Sequence, residues 1–599
     1  MKQTLISLPN KIALHRFKKI VFDIETDGLE GNKIHCIVAK VLGGETFLFP
    51  PDKLQEGVDL LVSADVLIGH NIIGFDIPII KKHFDVALTN HIEDTLVVSR
   101  LVNPILTGGH SLDNWGYLLY PNTAEKRKAK QPDSWEEYTE EMGVYCMQDV
   151  ELNTDIYYKL LKDVEEFSQD SVDLEHAVAK IIKDQEVTGF MLDEKKATLL
   201  SSKLKSKMIR LEKQVHETFK PKWVDDKLVT PKFNKDGKLS KVPTLTSEEL
   251  TQCKQNNFEP FMRKKWVEFN LASRKQIGEY LIDFGWKPKK FTPTGQPIVD
   301  ESTLEKVKGI PEATLIAEFM MLQKRVAQVG SWLELSKDGR VHGFVIPNGA
   351  YTGRMTHRNP NVAQTPSSQK PYGKECRECW TVPKGYKLVG IDASALELRV
   401  LAHYMKNEEY INEIINGDIH TANQKFAGLK HRNQAKTFIY ALIYGAGDVK
   451  IGSVVGGNGK VGAELKERFL NNLPSLRNLT HSVIYAARAK KNLKALDGRL
   501  IYIHTKKIYS SLNTLLQGGG AVIMKTALVL LDKRIKELNL DAKFVANIHD
   551  EWQLEVIEHQ AEQVGKLGVQ ALVDTATVLD MICPLDGEYK IGDNWSETH

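Results

Sequence analysis

Asp23 and Glu25 lie two residues apart in KKIVFDIETDG, and the period of a strand aims both carboxylates at one face. Two solvated acids at an exposed strand end would produce the same spacing. A third acid, Asp76, sits inside the apolar run IGHNIIGFDIPII, where a buried carboxylate needs a partner, commonly a metal. Tyr145 and Asp149 then share one face of the helical pattern from Glu136 to Leu161. Four carboxylates and a tyrosine suffice to ligate two Mg²⁺ or Mn²⁺ ions and orient a water for phosphodiester hydrolysis.

A second group of acids lies far downstream. The apolar strand of YKLVGIDASALELRVLAH ends on Asp392 and an amphipathic helix follows at once; KFVANIHDEWQLEV reads as strand, tight turn, strand, with His549, Asp550 and Glu551 at the turn. An Asp after a strand is most often a helix cap. Brought together, however, Asp392 and Asp550 could hold a pair of divalent cations that stabilise the attacking and leaving oxygens of phosphoryl transfer. Between them, Arg432, Lys436, Tyr440 and Tyr444 recur every four residues in HRNQAKTFIYALIYGAGDVKIG. Two cations on one helix face suit a triphosphate, and an aromatic two turns on suits stacking by a base or sugar.

Both groups carry resemblances. The first resembles the DEDD exonuclease superfamily in its Tyr-x-x-x-Asp variant, with Asp23 and Glu25 as the first motif, Asp76 the second, and Tyr145 with Asp149 the third. That resemblance implies a ribonuclease-H-like mixed sheet, 3′–5′ exonuclease activity, and two divalent cations on Asp23, Glu25, Asp76 and Asp149. Over about Gly343 to Trp595, DASALELRVLAH, RNQAKTFIYALIYGAG and NIHDEWQLEV resemble motifs A, B and C of family A DNA polymerases, of the replicative type of T-seven-like short-tailed phages.

The second resemblance implies roles position by position. Asp392 and Asp550, with the backbone carbonyl of Ala393, would hold two Mg²⁺ (or Mn²⁺), and Glu551 would support them. Arg432, Lys436 and His420 would grip the incoming dNTP, with Lys436 also serving the chemistry. Tyr440 would lie beside the 3′ position, Tyr444 near the template base, and Glu397 beneath the sugar as a gate against ribose. Arg354, Gln364, Arg499, Asn513, Gln517 and His549 would touch the primer-template, where minor-groove acceptors report pair geometry rather than sequence. Implied partners are primer-template DNA, dNTPs, a replicative helicase-primase and a single-strand-binding protein. The stretch from Pro221 to Phe269 reads shorter than the thumb insertion that clamps host thioredoxin in phage relatives, so thioredoxin is not assigned.

The elements that must position these residues imply an α/β multidomain chain. We expect an exonuclease domain over 1–165 and a thumb-like helical region over 166–340 with a basic loop at 221–258. A right-hand palm and fingers would follow over 341–599, the fingers at about 410–480. Leu174, Val178, Ile181, Ile182 and Val187 mark an amphipathic scaffold helix stopped by Gly189. Lys203, Lys205, Lys207, Arg210, Lys213 and Lys220 form a basic run that is either a solvated face or a phosphate-tracking one.

The totals bound the rest. A chain of 599 residues exceeds one hydrophobic core. Its net charge of +3 neither demands nor excludes a polyanionic partner. Six scattered cysteines lack a disulfide framework, and the Cys376–Cys379 pair has no second half of a zinc site. The first residues lack a leader pattern and no run reads as long enough to span a membrane, so a cytoplasmic protein is expected. Two other readings fit parts of the pattern: a nuclease with a degenerate synthetic half, and a non-catalytic nucleic-acid-binding scaffold.

Overall fold

The computed structural model describes residues 19–124, 127, 134–240 and 244–599. The expectation of a leaderless start falls on the first 18 residues, outside that range. The chain divides into two compact units, Met1–Asp193 with Leu335–His599, and Glu194–Glu334.

In the first unit, β1 (Lys19–Thr26), β2 (Ile34–Val41) and β3 (Thr46–Phe49) run antiparallel, while β4 (Val66–Gly69) and β5 (His91–Asp94) continue the sheet in parallel, in the order β3-β2-β1-β4-β5. This is the expected mixed sheet. Its strands are apolar on both sides because both faces are covered. Ile20, Phe22 and Ile24 join one core with Ile37, Ala39 and Leu67, while Val21 and Val38 join another with Cys146 and Val150. Each Val, Ile, Leu or Phe among them contributes about 1.5–3 kcal/mol on burial. The helices that position acids here are α1 (Asp76–Phe84), α2 (Thr95–Val102) and α3 (Glu140–Asp163); Asp94 caps α2 and Thr139 caps α3 through their side chains. α4 (Gln169–Thr188) ends at Gly189 and belongs to this unit, while the second unit begins at Glu194.

The second unit contains α5 (Glu194–Thr218), β6 (Lys222–Val229), α6 (Ser247–Gln255), β7 (Phe261–Val267) and α7 (Pro311–Leu335). The region expected as a basic loop at 221–258 is folded instead: β6 and β7 pair antiparallel, and α6 opens with a capping box of Thr246 and Glu249. A bulge at Asp225/Lys227 breaks the alternation of β6, which is why its period was illegible. Between β6 and α6, Phe233 and Leu239 form an antiparallel bridge across KFNKDGKLSK.

The remainder of the first unit is built on β8 (Tyr386–Ala393), followed by α8 (Leu396–Met405), α9 (Ile419–Ala427), α10 (Arg432–Ile443) and α11 (Ser511–Glu537), then β9 (Ala542–Ile548), β10 (Glu551–Ile557), α12 (Ala561–Val578) and β11 (Gly587–Gly592). The sheet order is β9-β10-β8-β11, all antiparallel. α11 is long and apolar enough to cross a bilayer, contrary to the expectation that no run reaches that length, but most of it is buried in this unit. Its Gly519 permits a close approach to α8, since a Cβ there would meet Val400 Cγ1 at 2.7 Å.

Candidate active site

Strand pairing sets the synthetic-type site. Asp392, at the end of the central strand β8, lies directly opposite Glu551 on β10. The turn before β10 places Asp550 beside them, and its carbonyl accepts from Ala393 N at 2.9 Å. His549 takes the left-handed region there, with φ of 56°. Burial first, then the charges of Asp550 and Glu551, push the Asp392 carboxyl up to about 7. Burial and the Glu397 charge raise Asp550 as well. Like charges held this close are the setting in which a divalent cation binds.

Around the pair, Glu397 near the start of α8 accepts from Arg354 Nη2 and from Tyr444 Oη, both at 3.1 Å. Burial and that carboxylate push Tyr440 and Tyr444 up to about 12, so both phenols stay protonated. On α10, Arg432 and Lys436 are exposed, and the Tyr440 ring lies 6.2 Å from Tyr444 and 6.3 Å from His420 of α9. The structure therefore gathers His420, Glu397, Tyr440 and Tyr444 near one another. Asn513 and Gln517 share one face of α11 and bond to each other at 3.1 Å; Gln364 is exposed at the end of a short helical turn.

Part of the nuclease-type set also comes together. Asp23 and Glu25 on β1 and the Cys146 thiol of α3 place ligand atoms within 4.8 Å of one another. Asp76 opens α1, is 2% exposed, and accepts from Ile24 N at 3.1 Å. Burial above all pushes its carboxyl up to about 7. Tyr145 and Asp149 are buried on α3, with Trp135 edge-on to the Tyr145 ring at 5.8 Å.

With both constellations in place, known proteins decide between the readings. Residues 238–597 match the profile of DNA polymerase family A. The chain is 32% identical to the DNA-directed DNA polymerase of Enterobacteria phage T3 over 97% of its own length and 100% of that protein. Identity to the DNA-directed DNA polymerase of Escherichia phage T7 is likewise 32%, with the same coverage. The chain belongs to DNA polymerase family A. The fold agrees: the POL domain of Pol1 from M. smegmatis, solved with DNA primer-template and dNTP, superposes with a TM-score of 0.76 at 18% identity, covering 96% of this chain and 95% of that one. The polymerase makes DNA on a template, the activity named for both phage relatives.

Family A polymerases use divalent metal ions, and the donor set here fits them: hard carboxylate oxygens whose mutual repulsion an ion would relieve. The raised acids set a pH dependence. In the unfolded chain an Asp titrates near 4, whereas Asp392 and Asp76 retain protons up to about 7 when folded. Between those values these two acids bind more protons in the folded polymerase than in the unfolded chain, so in chelator their contribution to stability falls as pH rises from about 4 through 7. Mg²⁺ binds the deprotonated acids, so its stabilising shift in melting temperature is expected to be larger at pH 8 than at pH 6. Equal shifts at both pH values would count against the paired-acid description.

One sequence-based placement is corrected. Arg499, expected at DNA, is 3% exposed and points into the core of the polymerase, where it pairs with Glu175 of α4 at 2.5 Å and Asp497 at 2.6 Å. Lys525 of α11 joins the same Glu175 oxygen at 2.6 Å. A DGR turn reads as surface locally, and its partner 324 residues upstream has no local signature.

Several neighbours went unread in the sequence. Asp418 caps α9 and holds the Arg432 guanidinium at 2.6 Å; Arg432 in return holds that carboxyl well below its ordinary range. The only sign in the sequence is an Asp two residues before His420. Asp94 lies buried near Asp76, its carboxylate taken up by the backbone N–H groups of Asn71, Ile73 and Leu96. Trp595 and His599 reach Glu551 from the far end of the chain.

Proposed function

We propose that this family A polymerase extends primers with dNTPs by two-metal phosphoryl transfer and removes mispaired 3′ ends at a second, nuclease site on the same chain. The observation that carries the first half is Asp392 facing Glu551 across the sheet with Asp550 at the adjoining turn. Asp392, Asp550 and the carbonyl of Ala393 would hold two Mg²⁺ ions, whose charge would favour deprotonation of the primer 3′-hydroxyl and stabilise the departing pyrophosphate. Arg432, Lys436 and His420 would bind the triphosphate, with Arg432 exchanging Asp418 for phosphate oxygens. Arg354, Gln364, Asn513, Gln517 and His549 are assigned to primer-template DNA.

The second half rests on Asp23 and Glu25 meeting α3, which also carries Tyr145 and Asp149, with buried Asp76 bonded to the strand between them. Two divalent cations there would position water against the terminal phosphodiester. The kinship with the phage DNA-directed DNA polymerases supports a replicative role, and with it we assign a host cytoplasm, a helicase-primase and a single-strand-binding protein as its setting. The test is a template carrying a primer with one mismatched 3′ nucleotide, supplied with Mg²⁺ and four dNTPs. The full chain should remove the mismatch and then extend; extension that retains it would refute editing.

Glu397 is assigned to the exclusion of ribonucleotides, because it is tied down by Arg354 and Tyr444 beside the proposed sugar position. Glu397→Ala is expected to relax the preference for dNTP over rNTP by about 10- to 100-fold in kcat/KM. An unchanged ratio would remove Glu397 from that role.

A further inference from the structure

After β11 the chain does not leave the palm. Trp595 N donates to Trp380 O at 3.0 Å, and Thr381 Oγ1 donates to Asp593 O at 2.8 Å. The Trp595 ring, 1% exposed, packs 6.1 Å from Phe190 with the Arg377 guanidinium 4.4 Å above it. From this anchor the segment reaches Glu551. Trp595 Nε1 donates to Glu551 Oε1 at 2.6 Å, Gln553 Nε2 donates to the same oxygen at 2.5 Å, and His599 Nδ1 meets Oε2 at 2.7 Å. Thr598 Oγ1 in turn holds Gln553 Oε1 at 2.8 Å.

The strand beneath is shaped for this crossing. Gly390 stands in the middle of β8, where a glycine weakens a strand and needs a reason. A Cβ there would lie 2.4 Å from Thr598 O and 2.6 Å from Gln553 Nε2. Any other residue would push the segment off the sheet two positions from Asp392.

We propose that residues 593–599 form a strap that fixes Glu551 beside Asp392, with His599 as a positioning residue for the synthetic site; this rests on the reading of Asp392 and Asp550 as the metal-binding pair. Glu551 is buried, and both its oxygens are engaged by donors. It would therefore present its negative charge from a fixed position beside Asp392. Outer partners of this kind orient the groups that hold a metal, and their loss costs about 10- to 100-fold in affinity or activity. Trp595 does the anchoring. The His599 side chain is one-third exposed, so its bond to Glu551, rather than core packing, is what it contributes.

The test is calorimetric titration of Mn²⁺ into the full chain carrying Asp23→Ala and Glu25→Ala, which removes the nuclease acids as binding sites. His599→Ala should weaken Mn²⁺ binding about tenfold and lower kcat more than it raises KM for dNTP. His599→Asn, whose amide nitrogen takes the place of Nδ1, should stay within about threefold of the parent. Trp595→Phe, which keeps the ring packing and loses the donor, should behave like His599→Ala. Melting temperatures in chelator should agree among the His599 variants. Unchanged Mn²⁺ affinity in His599→Ala, or equal losses in His599→Ala and His599→Asn, would overturn the proposal. If Asp550→Ala also left Mn²⁺ binding unchanged, the assignment of the metal-binding pair would have failed instead.

Discussion

Asp550→Ala is expected to slow primer extension about 10⁴-fold, or about 5 kcal/mol of lost transition-state stabilisation. Asp550 has no core to fill: it sits at a turn whose backbone carbonyl, not its side chain, makes the bond to Ala393. The substitution also removes a charge that pushes Asp392 upward, so Asp392 should return toward the ordinary carboxylate range. The variant should accordingly melt no lower than the parent in chelator at pH 8 while losing most of its response to Mg²⁺. A variant that extends primers within tenfold of the parent would break the assignment of Asp392 and Asp550. It would revive the non-catalytic scaffold considered from the sequence.

Asp23→Ala combined with Glu25→Ala should abolish excision of a mismatched 3′ nucleotide, by about 10⁴-fold or more, while matched primers are extended at the parental rate. The separation follows from the architecture. The two acids lie on β1 of the mixed sheet, whereas Asp392 and Asp550 belong to the antiparallel sheet of β8 and β10, and the two sheets share no strand. Retained excision by single-turnover assay would show that these acids are not the nuclease ligands. Loss of both activities together would point to a folding defect rather than a site.

What could be read from the sequence follows the range of the interaction. Period two on β1 and period four on α10 are local, so Asp23 with Glu25, and Arg432 with Lys436, are legible as pairs from their spacing alone. Asp392 and Asp550 are legible because each sits where an apolar run stops, though only the pairing of β8 with β10 brings them together. Illegible features are those with no nearby partner: Arg499 turned inward toward Glu175, and the strap over Gly390. In the 221–258 region the signal exists but is masked, since a bulge shifts the register of β6 and its faces cease to alternate.

Two neighbouring residues of α4 carry a mechanical consequence. His176 accepts from the backbone N–H of Asp94, next to the nuclease acids, while Glu175 takes Arg499 and Lys525 of the palm. A single turn of one helix is thus bonded on one side to the strand end that holds Asp94 and on the other to the buried Arg499 and Lys525. Under the editing role proposed above, a mispaired primer end would then have to unpair and travel between two sites tied to the same helix, and the ease with which its terminal base pairs melt would set how often it is erased.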